Sequence, residues 1–137
     1  MRRSRIGTTI TCWFVIGWLA WLIHQPLPAV AASSKVVIVL SQDSLPYADM
    51  VKGFQTALAS AGVQVEVHLQ NLKGNSANAS DVLRQFKENP PALFLTVGSL
   101  ATQSVLAESW DVPIIASLTA NVEKFRKNGN LTGVSLE

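Results

Sequence analysis

The sequence predicts a three-layer α/β lobe built on a parallel sheet of five strands in the order 2-1-3-4-5. Two observations carry this. Apolar strand-like runs alternate with helix-like segments throughout residues 32–137, a rhythm that implies parallel strands joined by right-handed helical crossovers. Strict apolar/polar alternation falls on the second strand, the mark of a half-exposed edge, while the first, third and fourth are apolar enough for the centre of a sheet. An edge second strand beside a central first strand is the 2-1-3-4-5 order of doubly wound sheets.

Taken in order, Val36–Leu40 (VVIVL) is β-branched and continuously apolar, as a strand buried on both faces should be. A helix follows over residues 46–62, with Tyr47, Met50, Val51, Phe54 and Leu58 at helical spacing and Gly62 as its C-terminal stop. In the second strand, residues 63–70, Val63, Val65, Val67 and Leu69 occupy one face. Gln64, Glu66, His68 and Gln70 occupy the other, so His68 is expected to be solvated on an edge.

A loop rich in Asn, Gly and Ser (71–78) leads to a second helix with Val82, Leu83 and Phe86 on its inner stripe. Asn89-Pro90-Pro91 ends that helix, because proline cannot continue it and disfavours helical geometry in the residue before it. The third strand is ALFLTV (92–97), the third helix runs from about Ser99 to Glu108, and the fourth strand is VPII (112–115). NVEKFRKN (121–128) reads as a short helix with a basic outer face, and LTGVSL (131–136) as the fifth strand.

Ahead of this lobe stands a segment with the order of an export signal. Arg2, Arg3 and Arg5 precede the uncharged run Ile10–Ile23, Pro26 and Pro28 break it, and Ala29-Val30-Ala31 offers a small-x-small cleavage pattern. Residues 1–31 are therefore expected to be a signal peptide cleaved after Ala31, using the general secretory route to the periplasm. An uncleaved anchor is the alternative, but the run is shorter than the roughly 20 residues that a membrane span needs. Cys12 is the single cysteine and lies inside that run, so cleavage leaves no disulfide, thiol nucleophile or thiolate metal site.

Net charge is +2 over 137 residues, and beyond the three N-terminal arginines basic and acidic residues nearly balance. A nucleic-acid partner would need a basic surface to displace counterions, and none is visible. No metal site and no cofactor is expected.

In sheets of this order ligands lie beyond the C-terminal ends of the strands, where the strand order switches. The segments of interest are thus 41–47, 98–101 and 117–121. Ser99 follows Gly98 at the start of the third helix, where its hydroxyl can cap the helix. Free N–H groups and the positive end of the helix dipole there favour an anion, with a carboxylate as the natural guest; a plain N-cap with no ligand is the other reading.

Four stretches occur in a telling order: SQDSLPYADMVKGFQTAL (41–58), FLTVGSLATQSVL (94–106), VPIIASLT (112–119) and GNLTGVS (129–135). Together they resemble the N-terminal lobe of the substrate-binding proteins of ABC transporters, in a type I periplasmic-binding family. The resemblance covers essentially all of residues 32–137.

It implies an exported receptor that encloses a small polar solute, such as an amino acid, between two lobes and presents it to an ABC permease in the inner membrane. It further implies ligand-binding roles for Ser44, Tyr47, Gly98, Ser99 and Thr119. Tyr47 could equally be the first core residue of its helix, and Thr119 could cap the short helix. Where members commonly carry Thr-Asp-Pro, this chain has Thr119-Ala120-Asn121, so no role transfers to the missing carboxylate. Thr132, Gly133 and Ser135 are expected beside the crossing to a second lobe, with Gly133 serving either a hinge or close strand packing.

The second lobe is expected to be absent, so that weak or undetectable solute binding is expected of this chain by itself. A periplasmic sensory lobe feeding a signalling receptor, or an inactive truncated product, are the alternatives. Enzyme readings fare worse. The Gly98-Ser99 turn lacks the Gly-x-Ser-x-Gly elbow, His68 falls on the edge strand away from Ser99, and a phosphoacceptor receiver would want acidic residues where Leu40-Ser41-Gln42 and Val97-Gly98 stand.

Overall fold

The computed structural model describes residues 34–125 and 130–136. The expected signal peptide, its cleavage site, Cys12 and the end of the basic short helix lie outside the described residues. The elements are β1 (Ser34–Leu40), α1 (Leu45–Ser60), β2 (Val65–Asn71), α2 (Asn78–Arg84), β3 (Leu93–Val97), α3 (Ser99–Ala107), β4 (Ile114–Ala120), a 3-10 turn (Val122–Phe125) and β5 (Leu131–Leu136). The five strands are parallel throughout and stand in the order β2-β1-β3-β4-β5.

β1 is buried on both faces because successive side chains enter different layers. Val37 and Val39 join Leu83, Phe86, Phe94, Val105 and Ile114 beneath α2 and α3. Val36, Ile38 and Leu40 join Val51, Leu95 and Val97 beneath α1, with Tyr47, Met50 and Phe54 packed at the margin. Fully buried, each such side chain contributes about 1.5–3 kcal/mol through the area it removes from water. That is why this run has no polar phase.

The edge strand departs from expectation in a specific way. β2 begins at Val65, opposite Ser34, leaving Val63 outside the ladder. Its apolar face is unevenly covered: Val65 and Val67 pack against the α1-side cluster, whereas Leu69 is 53% exposed and Val63, ahead of the strand, 48%. His68, in contrast, is half-buried. Its ring meets Phe86 edge-on at 6.1 Å and its Nε2 lies 2.7 Å from Glu66 Oε1, which corrects the expectation of a freely solvated histidine.

α2 ends at Arg84, and two tight turns (Phe86 N–H to Leu83 O and Lys87 N–H to Arg84 O, both 3.0 Å) still deliver Phe86 to the core. The loop after β2 is also more structured than its composition suggests. Leu72 is fully buried, with its N–H donating to Leu40 O at 2.9 Å. The side-chain oxygens of Asn71 and Asn75 close turns onto the amides of Lys73 and Ala77. Gly74, at φ 74°, then donates its N–H to Ser41 O at 2.7 Å, drawing this loop to the end of β1.

Candidate functional site

The C-terminal ends of β1, β3 and β4 surround an open depression of about 300 Å³. Ser41, Gln42 and Tyr47 line it from the segment between β1 and α1, and Gly74 from the loop after β2. Ser99 and Leu100 contribute from the start of α3, and Leu118 and Ala120 from β4. No charged side chain is among them. Two larger hollows lie elsewhere: about 430 Å³ between the end of α1 and the start of β2, and about 410 Å³ beside Leu40 and Leu45. The first lies away from the C-terminal strand ends, and the second touches β1 at Leu40 but no residue of α3 or β4. The depression that spans the point where β1 and β3 diverge to opposite crossovers is therefore the candidate site.

Ser41 is its hidden organiser. The side chain is buried, and its Oγ donates to Val97 O at 2.9 Å while accepting the N–H of Ala101 at 3.0 Å. Ala101 occupies the third position of α3, so a serine from another strand fills the N-cap acceptor's place. The local residue there is Gly98, at φ 91° and ψ 161°, and no side chain of its own neighbourhood caps the helix.

Glycine is required at 98 on two counts. Its φ lies in the region that side chains rarely adopt, and a Cβ would come within 2.5 Å of Ser41 Oγ and 2.6 Å of the Tyr47 hydroxyl oxygen. Gly98 N–H also donates to Ser117 O at 2.9 Å, tying the turn to β4.

Ser99 does not cap its own helix, contrary to expectation. It is the first helical residue, and its Oγ accepts the N–H of Ala120 at 3.1 Å, bridging α3 to the end of β4. With Ala101 satisfied by Ser41 and Thr102 by Gly98 O, the amides of Ser99 and Leu100 are left without a protein acceptor among the described residues. They are the two orphan donors of the first helical turn, at the positive end of its dipole. Tyr47 reads both ways at once: it packs against the β1–β3 core and walls the depression over Gly98.

β4 supplies the largest correction. It continues past Ile115 to Ala120, with a bulge between Ala116 and Thr119 and Leu118 at φ 52°. Without the extra residue, Leu118 would share the face of Ile114 and Ala116, and Thr119 the face of Ile115. The bulge reverses that phase. Leu118 joins the α1-side cluster beside Tyr47, and Thr119 turns under α3.

Thr119 therefore does not line the depression. It is fully buried, and its hydroxyl lies 2.9 Å from that of Thr102, which lies 2.9 Å from that of Thr96. Thr102 can accept from both while donating to Gly98 O at 3.0 Å, so one proton arrangement satisfies the whole chain of hydroxyls. Nor does Thr119 cap the short helix; Asn121, at φ 53°, offers the carbonyl that Lys124 N–H bonds at 3.0 Å.

Ser44 is not brought to the depression either. It starts α1 through its carbonyl, which accepts from Tyr47 and Ala48 at 3.1 Å, and its side chain makes no cap. It borders the separate hollow with Leu40 and Leu45. Thr132, Gly133 and Ser135 lie within β5 and none lines the depression. Gly133 faces Ala116, where a Cβ would stand 2.4 Å from Ala116 O, so close strand packing accounts for this glycine and a hinge is not needed to explain it. Gly74 alone of the lining residues lies outside the three segments expected from sequence, brought in by the loop after β2, and the bulge is what turns Leu118 to this side.

The sequence matches the model of the family described as ABC transporter substrate binding protein over residues 33–137. No curated protein matches it. Solved structures share the fold at low identity. A ligand-free, open substrate binding protein with adhesive properties from Clostridium difficile aligns with TM-score 0.65 and 16% identity, over 74% of this chain and 38% of its own. An ABC domain in complex with L-Trp from Streptococcus pneumoniae aligns with TM-score 0.67 and 22% identity, over 76% and 39%. A conserved domain protein from Vibrio cholerae O1 biovar El Tor aligns with TM-score 0.68 and 19% identity, over 75% and 38%. The aligned part of this chain thus spans well under half the length of those structures.

Proposed function

This chain belongs to the ABC transporter substrate binding protein family, and from that premise we propose that it forms one wall of a receptor for a small zwitterionic solute, an amino acid or a close relative. The observation that carries the reading is the pair of unpartnered amides on Ser99 and Leu100, opening into an uncharged polar depression beneath Tyr47. A carboxylate accepts such N–H groups well and is favoured by the helix dipole. The solute's carboxylate would rest on α3, with Gln42 within reach of its other polar groups and Tyr47 and Leu118 against its apolar part. The neighbour that holds L-Trp supports an amino-acid ligand.

The reading includes an exported, periplasmic protein whose first 31 residues are removed. An opposing lobe completes the cleft, and an ABC permease in the inner membrane receives the solute. Binding, not catalysis, suits the site. The Ser99 hydroxyl is engaged by Ala120, and His68 lies on the edge strand against Phe86.

One wall leaves much of a ligand in water, whereas closed sites bury most of it. Affinity of the chain alone is accordingly expected to be weak, and the test must register millimolar binding. In amide NMR titrations with L-amino acids and with their carboxamides, the acids should move the Ser99, Leu100 and Gly98 resonances, and the carboxamides should not. Equal shifts with both series, or none at α3, would refute the carboxylate assignment.

A further inference from the structure

We propose that β2 is a self-pairing edge through which two copies of this chain join their sheets, antiparallel about a two-fold axis at Val67. β2 pairs with β1 over seven residues without a bulge, and nothing among the described residues pairs with its other side. Natural edges usually carry a lysine, a proline or a bulge that blocks such pairing. The strand VEVHLQN has no lysine, proline or bulge, and its one carboxylate, Glu66, falls opposite a histidine in the pairing described below.

The backbone is set for it. Leu72 N–H donates to Leu40 O at 2.9 Å, so by the two-residue alternation of a strand the even-numbered residues of β2 turn their N–H and C=O groups toward β1. Val65, Val67 and Leu69 turn theirs outward. Antiparallel pairing centred on Val67 makes Val67 face its own copy as a hydrogen-bonded pair, and Val65 face Leu69 likewise.

Side chains then select this register over its neighbours. On one face Glu66 stands opposite His68 of the second copy, twice by symmetry, and each His68 already lies 2.7 Å from its own Glu66. The four groups form a square of alternating character. On the other face Val65 meets Leu69 and Gln64 and Gln70 meet across the axis on the first. A shift of the axis to Glu66 would oppose two carboxylates, and a shift to His68 two imidazoles. The pairing also covers Leu69, which the folded chain leaves 53% exposed, and extends the apolar hollow lined by Leu58, Val63, Val65 and Val67.

Disulfide trapping in cells tests this with the full chain carrying Cys12→Ser. Val67→Cys should form a homodimer on oxidation, because Cα atoms of a hydrogen-bonded antiparallel pair lie about 5.5 Å apart, within disulfide reach. Val134→Cys on the exposed far edge should not. Adding Leu69→Lys should lower the Val67→Cys yield about tenfold or more, since two apolar contacts are lost. Glu66→Lys and His68→Glu should each lower it, and the two together should restore it, an outcome that general stickiness does not produce.

Thermal melts of each variant show whether the fold is kept, as expected for substitutions on an edge. Equal trapping at Val67→Cys and Val134→Cys overturns the proposal. So does a folded charge-swapped pair that traps no better than its single variants, or cross-linking of Val67→Cys only to other proteins.

Discussion

The hydroxyl of Ser41, at the end of β1, accepts the N–H of Ala101 at 3.0 Å and so caps a helix that begins after β3. The same oxygen donates to Val97 O, binding β1, β3 and α3 through one buried atom. Ser41→Ala leaves the buried Ala101 amide without its acceptor, while Val97 O keeps the backbone N–H of residue 41 at 3.0 Å, so a loss of about 1–3 kcal/mol is expected, from the amide. Chemical denaturation of the variant should show that loss with an unchanged m-value. Faster hydrogen exchange at Ala101 should locate it, and an Ala101 amide as protected as before would contradict the capping role.

Gly98 and Tyr47 should couple. Gly98→Ala places a methyl against both Ser41 Oγ and the Tyr47 hydroxyl, at a φ of 91° that alanine tolerates poorly. Destabilisation of about 2 kcal/mol or more is expected from strain and overpacking together. Tyr47→Phe removes one of the two obstructing atoms. The double variant should thus be less destabilised than the sum of its parts, by about 0.5 kcal/mol or more. Strict additivity in a denaturation cycle would show that the tyrosine yields freely and does not brace the turn.

Much of the lobe was legible because its signals are local. The VVIVL run requires two covered faces, the phase of VQVEVHLQ marks an edge, and Gly98 marks a turn before a helix. The parts that escaped depend on distant partners. Nothing near Ser41 in sequence announces a helix that needs its oxygen, and Ser99 stands where a cap belongs while bonding elsewhere. The bulge at Leu118 carries no glycine or asparagine to betray its left-handed residue, so the inward turn of Thr119 was invisible. His68 kept its strand but gained Phe86, a residue delivered by turns beyond α2.

The buried threonines separate structure from binding. Thr102→Val removes the hydroxyl that serves Thr96, Thr119 and Gly98 O together, so a cost of about 1–3 kcal/mol is expected. Thr119→Val should also destabilise, while Thr119→Ser keeps the hydroxyl and loses only a methyl. Neither Thr119 variant should alter the shifts that amino acids induce at Ser99 and Leu100, because the side chain lies under α3 and not in the depression. A Thr119→Ser variant that stays stable yet loses those shifts would return Thr119 to the ligand site.

Gly133 offers the sharpest distinction between packing and hinge. A Cβ there would meet the backbone oxygen of Ala116 at 2.4 Å and its Cβ at 2.9 Å, atoms that cannot swing away as a side-chain tip can. Relief requires β5 to move off β4, near the bulge where the pairing is already interrupted. Gly133→Ala should therefore destabilise the fold by about 1–3 kcal/mol through overpacking and expose β5 amides to exchange before the rest of the sheet. At a hinge glycine the cost would come from restricted φ, and shaving the neighbour would not help. Here Ala116→Gly removes one of the two nearest obstructions, so the Ala116→Gly/Gly133→Ala pair should recover part of the β5 protection lost in Gly133→Ala alone. Identical exchange in the single and double variants would leave strand packing without support as the reason for this glycine.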